Sequence, residues 1–484
     1  MASLLTITKQ NRVQNQQNKK KMKILIYTVL FVLLSNPILS QEKTLSIEST
    51  LNIVRNYHPV VKQAFLQNEI SKNEFKAAKG VFDPKLQIQN QEKTFDNKLY
   101  YRYNTTELNI PLWYGIDVKV GTEQNFGDRM DPSLTKNNSA FVGVSMDPFR
   151  GLIVDKRSSI VKQAKGFVEL TKNEQLLVVN DLLFDVSNAY WNWVNAYHVN
   201  SILTKSVKNN IERYDVVKKS FISGDRAAID TTEALTQLQS IEIMQSQAKL
   251  DLQKARFELS NYFWTENGKP FEIDETIEPA NDFDLASIHK IELGKMEEMI
   301  NQATLNHPKI KMVNSKSNIL DIEKRLKTIE LFPSLKLNYN TLDNNLNTIS
   351  SNISTTNNSK YGLSLTLPLF QRQSRAELAK TKNKIEDINW DKKYYSLEIE
   401  NKVKSSFTEF YTVKQQIKTN DAILNAQKLL FDTENTKFQL GESSLFLINS
   451  REIKYIETEQ KQIALKTKLF QSMYKNRWAM GSLN

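Results

Sequence analysis

The chain has 484 residues and no cysteine, which excludes disulfides, thiolate catalysis and cysteine-based metal sites. Glycine (13) and proline (11) are scarce while Lys, Glu, Gln, Asn and Leu abound, a balance that favours long helices over a loop-rich enzyme. The net charge of +11 falls to +5 once the six basic residues of positions 1–40 are set aside; acidic and basic residues alternate through the rest, leaving no clustered basic face for nucleic acid.

Residues 1–40 read as a polar extension and a signal peptide. Lys19-Lys20-Lys21-Met22-Lys23 is a positive n-region, 24–34 is an apolar run of 11 residues, and Ser40 is a small residue suited to cleavage before Gln41. The run is short for a bilayer span, and Met22 is a second candidate start. No later segment offers ~18 consecutive apolar residues.

The mature chain then says nearly the same thing twice. Asn56-Tyr57-His58-Pro59 is followed by Phe82-Asp83-Pro84, and Asn306-His307-Pro308 by Phe332-Pro333, with the two prolines 25 residues apart in each copy. The expected first repeat spans 41–264. It holds a helix over 60–81, strands over 84–147, a long helix over 152–221 and a helix over 228–263. Leu86 and Ile88, then Ile116, Val118 and Val120, then Val142, Val144 and Met146 alternate with polar or small residues, the period of strands with one apolar face. A polar, acidic linker follows at 265–292, expected to strap the helices from outside.

The second repeat, 293–484, holds a helix over 309–331, strands over 333–368, a long helix over 374–438 and a helix over 445–480. Leu335, Leu337 and Tyr339, then Leu363, Leu365 and Leu367 alternate in the same way, around a polar Asn/Ser/Thr loop at 340–360. Pro84 to Pro148 is 64 residues and Pro333 to Pro368 is 35, so the first repeat carries about 29 more, an added hairpin around 113–127. In the long helix, Ile399, Val403, Phe407, Phe410, Val413 and Ile417 form a narrow apolar stripe. At 1.5 Å per residue each long helix reaches roughly 100 Å and needs partners along its length. Both end at Phe-x-x-Gly-[Asp/Glu], with Gly224 and Gly441 as C-terminal caps.

A chain with an export signal, no apolar spanning helix and strands of alternating faces suits a β-barrel shared among copies, because only helices and closed barrels satisfy the backbone in lipid. Leu45-Ser46-Ile47-Glu48-x-x-Leu51 before His58-Pro59, Phe82-Asp83-Pro84 leading into a strand, Leu367-Pro368-Leu369-Phe370 before a long helix, and the two glycine-capped tips together resemble the TolC-like outer-membrane efflux protein family. The resemblance implies a mixed α and β membrane protein. It would be a homotrimer whose protomers each give four strands to a 12-stranded outer-membrane barrel that continues into a long periplasmic α-helical barrel. It also implies the role of passive exit duct for an inner-membrane transporter in efflux or type I secretion, joined through a periplasmic adaptor.

By the same resemblance the hairpin tips form the periplasmic aperture. The family's acidic ring positions fall on Leu447 and Ser450, neither acidic, and its basic gating position falls on Ser443. Asp230 matches an acidic tip position, with Glu233 one turn later. These two acids either hydrogen-bond across tips to close the entrance or are first-turn carboxylates favoured by the helix dipole. Leu447 suits an apolar constriction. His58 and His307 sit in equivalent turns with Pro59, Pro84, Pro308 and Pro333 and are expected to shape the same turn twice. No metal motif, cofactor loop or catalytic constellation stands out, so no enzyme is expected. A periplasmic coiled-coil scaffold and a surface adhesin are the alternatives.

Overall fold

The computed structural model describes residues 44–280, 290–343 and 358–483. The signal-peptide segment, part of the linker with His289, and most of the polar loop at 340–360 lie outside the described residues.

Helix α1 (Ile47–Tyr57) is capped by Ser46, whose Oγ accepts the Ser49 N–H. It ends at His58, and α2 (Pro59–Lys79) starts with proline at its first position, where the missing N–H costs nothing. A 3₁₀ turn (Gly80–Phe82) and Pro84 stop α2. The two long helices are α3 (Lys156–Ile222, 67 residues) and α7 (Arg372–Gln439, 68 residues), each roughly 100 Å at 1.5 Å per residue. The shorter helices α4 (Ala228–Ser260) and α8 (Leu445–Ala479) return along them, while α5 (Met296–Asn306) and α6 (Pro308–Ile329) precede the second strand block. Helices α2 and α4 both pack on α3, and α6 packs on both α3 and α7. The apolar stripe of α7 is buried at Ile399, Val403, Phe410, Val413 and Ile417, with Phe407 partly buried.

The largest core lies midway along the helices. Leu183, Val186, Tyr190, Trp191, Trp193 and Val194 of α3 meet Phe410, Val413 and Ile417 of α7, and Leu469, Phe470 and Tyr474 of α8. Trp191 stacks on Phe470 at 4.2 Å and meets Tyr190 edge-on at 5.2 Å. The linker binds this collar: β6 (Glu278–Pro279) pairs in parallel with β1 (Thr44–Leu45), and the Tyr190 hydroxyl donates to the Leu45 carbonyl at 2.9 Å. Lys414 Nζ and the Tyr411 hydroxyl donate to the Ile291 and Leu293 carbonyls.

Among the described residues the remaining strands form one antiparallel sheet of six, where the resemblance implied four. Its order follows the chain: β2 (Lys85–Phe95), β3 (Lys98–Pro111), β4 (Ile116–Phe126), β5 (Asn137–Met146), β7 (Ser334–Asp343) and β8 (Ser359–Thr366). The added residues of the first half are therefore not a separate hairpin around 113–127. Residues 113–115 are a tight turn and 116–126 are strand β4, paired on both sides with β3 and β5. The sequence period did not reveal β3 because polar and aromatic residues alternate irregularly along Lys98–Pro111.

The pairing register sorts the side chains by face. Leu86, Leu108, Val120 and Val142 stand in one row, and Ile110, Val118, Val144, Tyr339 and Tyr361 in the next. This apolar face is open, with Ile88 at 76% and Leu363 at 68% exposure. The opposite face carries Asn109, Asp117, Lys119, Ser145, Lys336 and Asn338, which line a cavity of about 760 Å³ where the sheet meets the helices. Two arginines tie that junction. Arg157 at the start of α3 donates through Nη2 to both carboxylate oxygens of Asp117 at 2.7 and 2.8 Å, and Arg150 donates to the Glu330 and Phe332 carbonyls across the two halves.

Candidate aperture at the paired helical tips

At the end opposite the sheet, α3 and α7 stop in the same way. Gly224 (φ 83°) and Gly441 (φ 81°) take the left-handed conformation that costs a β-carbon strain. The N–H of the next residue then reaches back to a carbonyl five residues earlier, Asp225 to Ser220 and Glu442 to Lys437, both at 2.9 Å. The chain turns, and α4 and α8 begin at Ala228 and Leu445.

The two tips pack against each other. Val217 and Ala234 of the first meet Phe438, Leu445 and Ile448 of the second, and the Arg226 guanidinium lies over the Phe438 ring at 4.2 Å. Arg226 also reaches Asp230 at 3.8 Å. Asp230 is thus a first-turn carboxylate of α4 engaged by its own tip, and Glu233, half-buried, stands one turn on. Ser443 donates to Glu434 Oε1, Ser444 caps α8 by accepting the Leu447 N–H, and Leu447 and Ser450 are exposed.

A short way from the tips the α3–α8 seam holds charges. Glu452, 2% exposed, accepts from Arg213 at 2.6 Å through Oε2 and from Asn210 Nδ2 at 3.0 Å through Oε1. Arg213 also donates to Asn449 Oδ1 at 3.3 Å. This network joins the two halves of the chain and was not singled out in the sequence. Its signal was there: Leu445, Ile448, Glu452 and Ile456 recur at helical spacing, so Glu452 occupies a position where the stripe calls for an apolar residue. Farther along, within the second half, Asn420 of α7 donates to Gln462 Oε1 of α8 at 2.6 Å.

The turn residues lie elsewhere and are not brought to the tips. His58 and His307 each cap the helix that follows, their Nδ1 accepting the Val60 and Lys309 N–H at 3.3 and 3.1 Å. Burial lowers the His307 pKa to about 4, with Lys402 acting in the same direction. Pro84 and Pro333 stand immediately before β2 and β7. Among the described residues no group of three or more His, Asp or Glu is placed to hold a metal ion, and no helix is long and apolar enough to cross a membrane.

Residues 127–263 match the family model described as outer membrane efflux protein, the same family the sequence motifs resemble. That segment runs from the end of β4 through β5, α3 and α4. No curated protein sequence matches the chain. Solved structures match nearly its whole length. The open state of the Neisseria gonorrhoeae MtrE outer membrane channel aligns at 14% identity and a TM-score of 0.65 over 90% of this chain and 89% of that one. The Campylobacter jejuni CmeC outer membrane channel aligns at 13% and 0.62 over 91% and 86%, and a Pseudomonas aeruginosa membrane protein at 13% and 0.65 over 91% and 93%. At such identities the shared property is the fold: a small sheet at one end of long paired helices.

Proposed function

We propose that this protein is the outer-membrane exit duct of a tripartite efflux or type I secretion system in a Gram-negative bacterium. Three copies form one passive channel, and the two halves of each chain are structural repeats. The sheet sits in the outer membrane, the helices form a periplasmic tunnel, and the paired tips at Gly224 and Gly441 are its aperture. An inner-membrane transporter supplies the energy and a periplasmic adaptor joins it to the tips. Catalysis has no part in this role.

One observation carries the reading. A single sheet turns an apolar face outward and a polar face inward, and its polar side opens onto helices roughly 100 Å long. In lipid, alternating faces are what a channel wall requires. A periplasmic scaffold that never enters a membrane has no use for open rows such as Leu86/Ile88 and Tyr361/Leu363/Leu365. Within the aperture, Asp230 and Glu233 are the candidate lining acids, Ser443 and Ser450 are neutral, and Leu447 is the candidate apolar constriction.

The test is single-channel conductance of the purified protein in a planar bilayer, measured with its mass in detergent. Stable openings from a trimeric species support the duct. A soluble species without conductance returns the chain to a coiled-coil scaffold.

A further inference from the structure

The two outermost strands of the sheet, β2 and β8, are exposed at every residue. Among the described residues each presents a row of backbone groups that no strand pairs, since the order runs β2-β3-β4-β5-β7-β8 and stops. A sheet edge cannot be left open in hydrocarbon. The edges are matched in direction: β2 runs away from the helices and β8 toward them, so joining one to the other gives another antiparallel ladder.

Their side chains are matched too. Across the sheet the apolar belt is Leu86–Ile88 in β2, Leu108–Ile110 in β3, Ile116–Val120 in β4, Ala140–Met146 in β5, Leu335–Tyr339 in β7 and Tyr361–Leu365 in β8, counting the residues of the outer face. Beyond the belt every strand turns polar on that face, at Glu92, Arg102, Gln124, Asn138, Asp343 and Ser359. Followed from β2 to β8, the belt is displaced along the pairing rows by about five residues over five pairings, an average of about one residue per strand. With a rise of ~3.3 Å per residue and ~4.8 Å between strands, that slip corresponds to a tilt of roughly 35°, the tilt of a closed barrel wall. Strands β2 and β3 are joined to the other four through the ladders to β4 and belong to the same wall.

We propose that β2 of one copy pairs with β8 of the next, so that three copies close an 18-stranded barrel. The belt sets the register: Leu86 opposite Leu365 and Ile88 opposite Leu363 on the outer face, Lys85 opposite Thr366 and Gln87 opposite Ser364 on the inner. Barrel width grows roughly in proportion to strand number, so this lumen is about half as wide again as one of 12 strands. The duct therefore takes bulkier cargo through its outer-membrane stage, and the tips, not the barrel, set the limiting width. The inference rests on the trimeric duct proposed above.

The chain has no cysteine, so introduced pairs are the only thiols present. The experiment uses the full-length protein in outer-membrane fractions, carrying Gln87→Cys with Ser364→Cys, oxidised and run without reductant. Covalent trimers are the expected product, and each single variant stays uncrosslinked while keeping its trimeric detergent mass. A second pair, Lys119→Cys with Gly362→Cys, reports the rival seam in which β4 meets β8 and a 12-stranded barrel excludes β2 and β3; the Gly362 site has room for a side chain. A trimeric mass with crosslinks from the second pair but not the first overturns the 18-stranded wall, as does a trimer that crosslinks through neither. Loss of the trimeric mass in the unsubstituted protein fails the duct reading itself.

Discussion

The helices are joined at two levels by opposite means. Around Trp191 the collar is built mainly of aromatic and aliphatic side chains: Trp191 stacks on Phe470, and polar contacts such as the Tyr190 hydroxyl to the Leu45 carbonyl lie at its margin. At Arg213, roughly 33 Å along α3, an ion pair and two asparagines occupy the seam instead. A buried ion pair is stable only when complete, because each partner has lost its water. The contrast predicts a collar whose stability is insensitive to single charge changes and a region beside the tips whose stability depends on the complete Arg213–Glu452 pair.

Breaking one side of that ion pair sharpens the contrast most. Glu452→Ala leaves Arg213 buried without its carboxylate and is expected to destabilise the tip by about 3–5 kcal/mol. Hydrogen exchange should rise in α3 and α8 beside the tips and stay slow at the collar, and conductance should increase. The double change Arg213→Met with Glu452→Leu should restore most of the protection, since an apolar pair of similar volume removes the desolvation cost. Uniform loosening of the whole chain by Glu452→Ala would erase the distinction between the two levels.

Trp191→Ala tests the collar, with a cost of about 3–5 kcal/mol for a deleted buried aromatic. Its effect should be global rather than local: a lower thermal midpoint and reduced trimer yield, without selective opening at the tips. A pH series should read the His307 turn. Its folded pKa, about 4, lies below the usual 6.5, so the neutral cap stabilises fully above pH 6.5 and the contribution is lost as pH falls toward 4. His307→Gln should remove that step from the stability profile, and an unchanged profile would remove His307 as its origin. Smallest of all, Leu447→Ser should raise conductance modestly while leaving the thermal midpoint in place, because Leu447 is exposed at the tip. Unchanged conductance would place the constriction elsewhere.

The helical part was legible because its signals are local. A narrow apolar stripe, prolines at helix starts and a glycine at each tip mark α2, α3, α6 and α7 within a few residues of their observed limits. Strand β3 was not legible, since tyrosines and asparagines fill Lys98–Pro111 without a clean alternation and only pairing with β2 and β4 reveals its faces. For the same reason the added residues of the first half looked like a side hairpin, when they complete a six-stranded wall. At the tips, Gly224, Asp230 and Gly441 were visible as residues, but Arg213 meets Glu452 across 239 positions of chain and no spacing rule brings them together.

What the sequence determined by itself was the kind of element at each place: long helical stretches with a narrow apolar stripe, strands with one apolar face, and glycine-capped turns. Those follow from backbone preferences and from periods of 3.6 and 2, which act over a few residues. Tertiary structure alone decided the strand count and the ion pair across the seam. Each of these depends on which distant side chains share one low-dielectric space, and that is set by how the elements pack rather than by any element's own pattern.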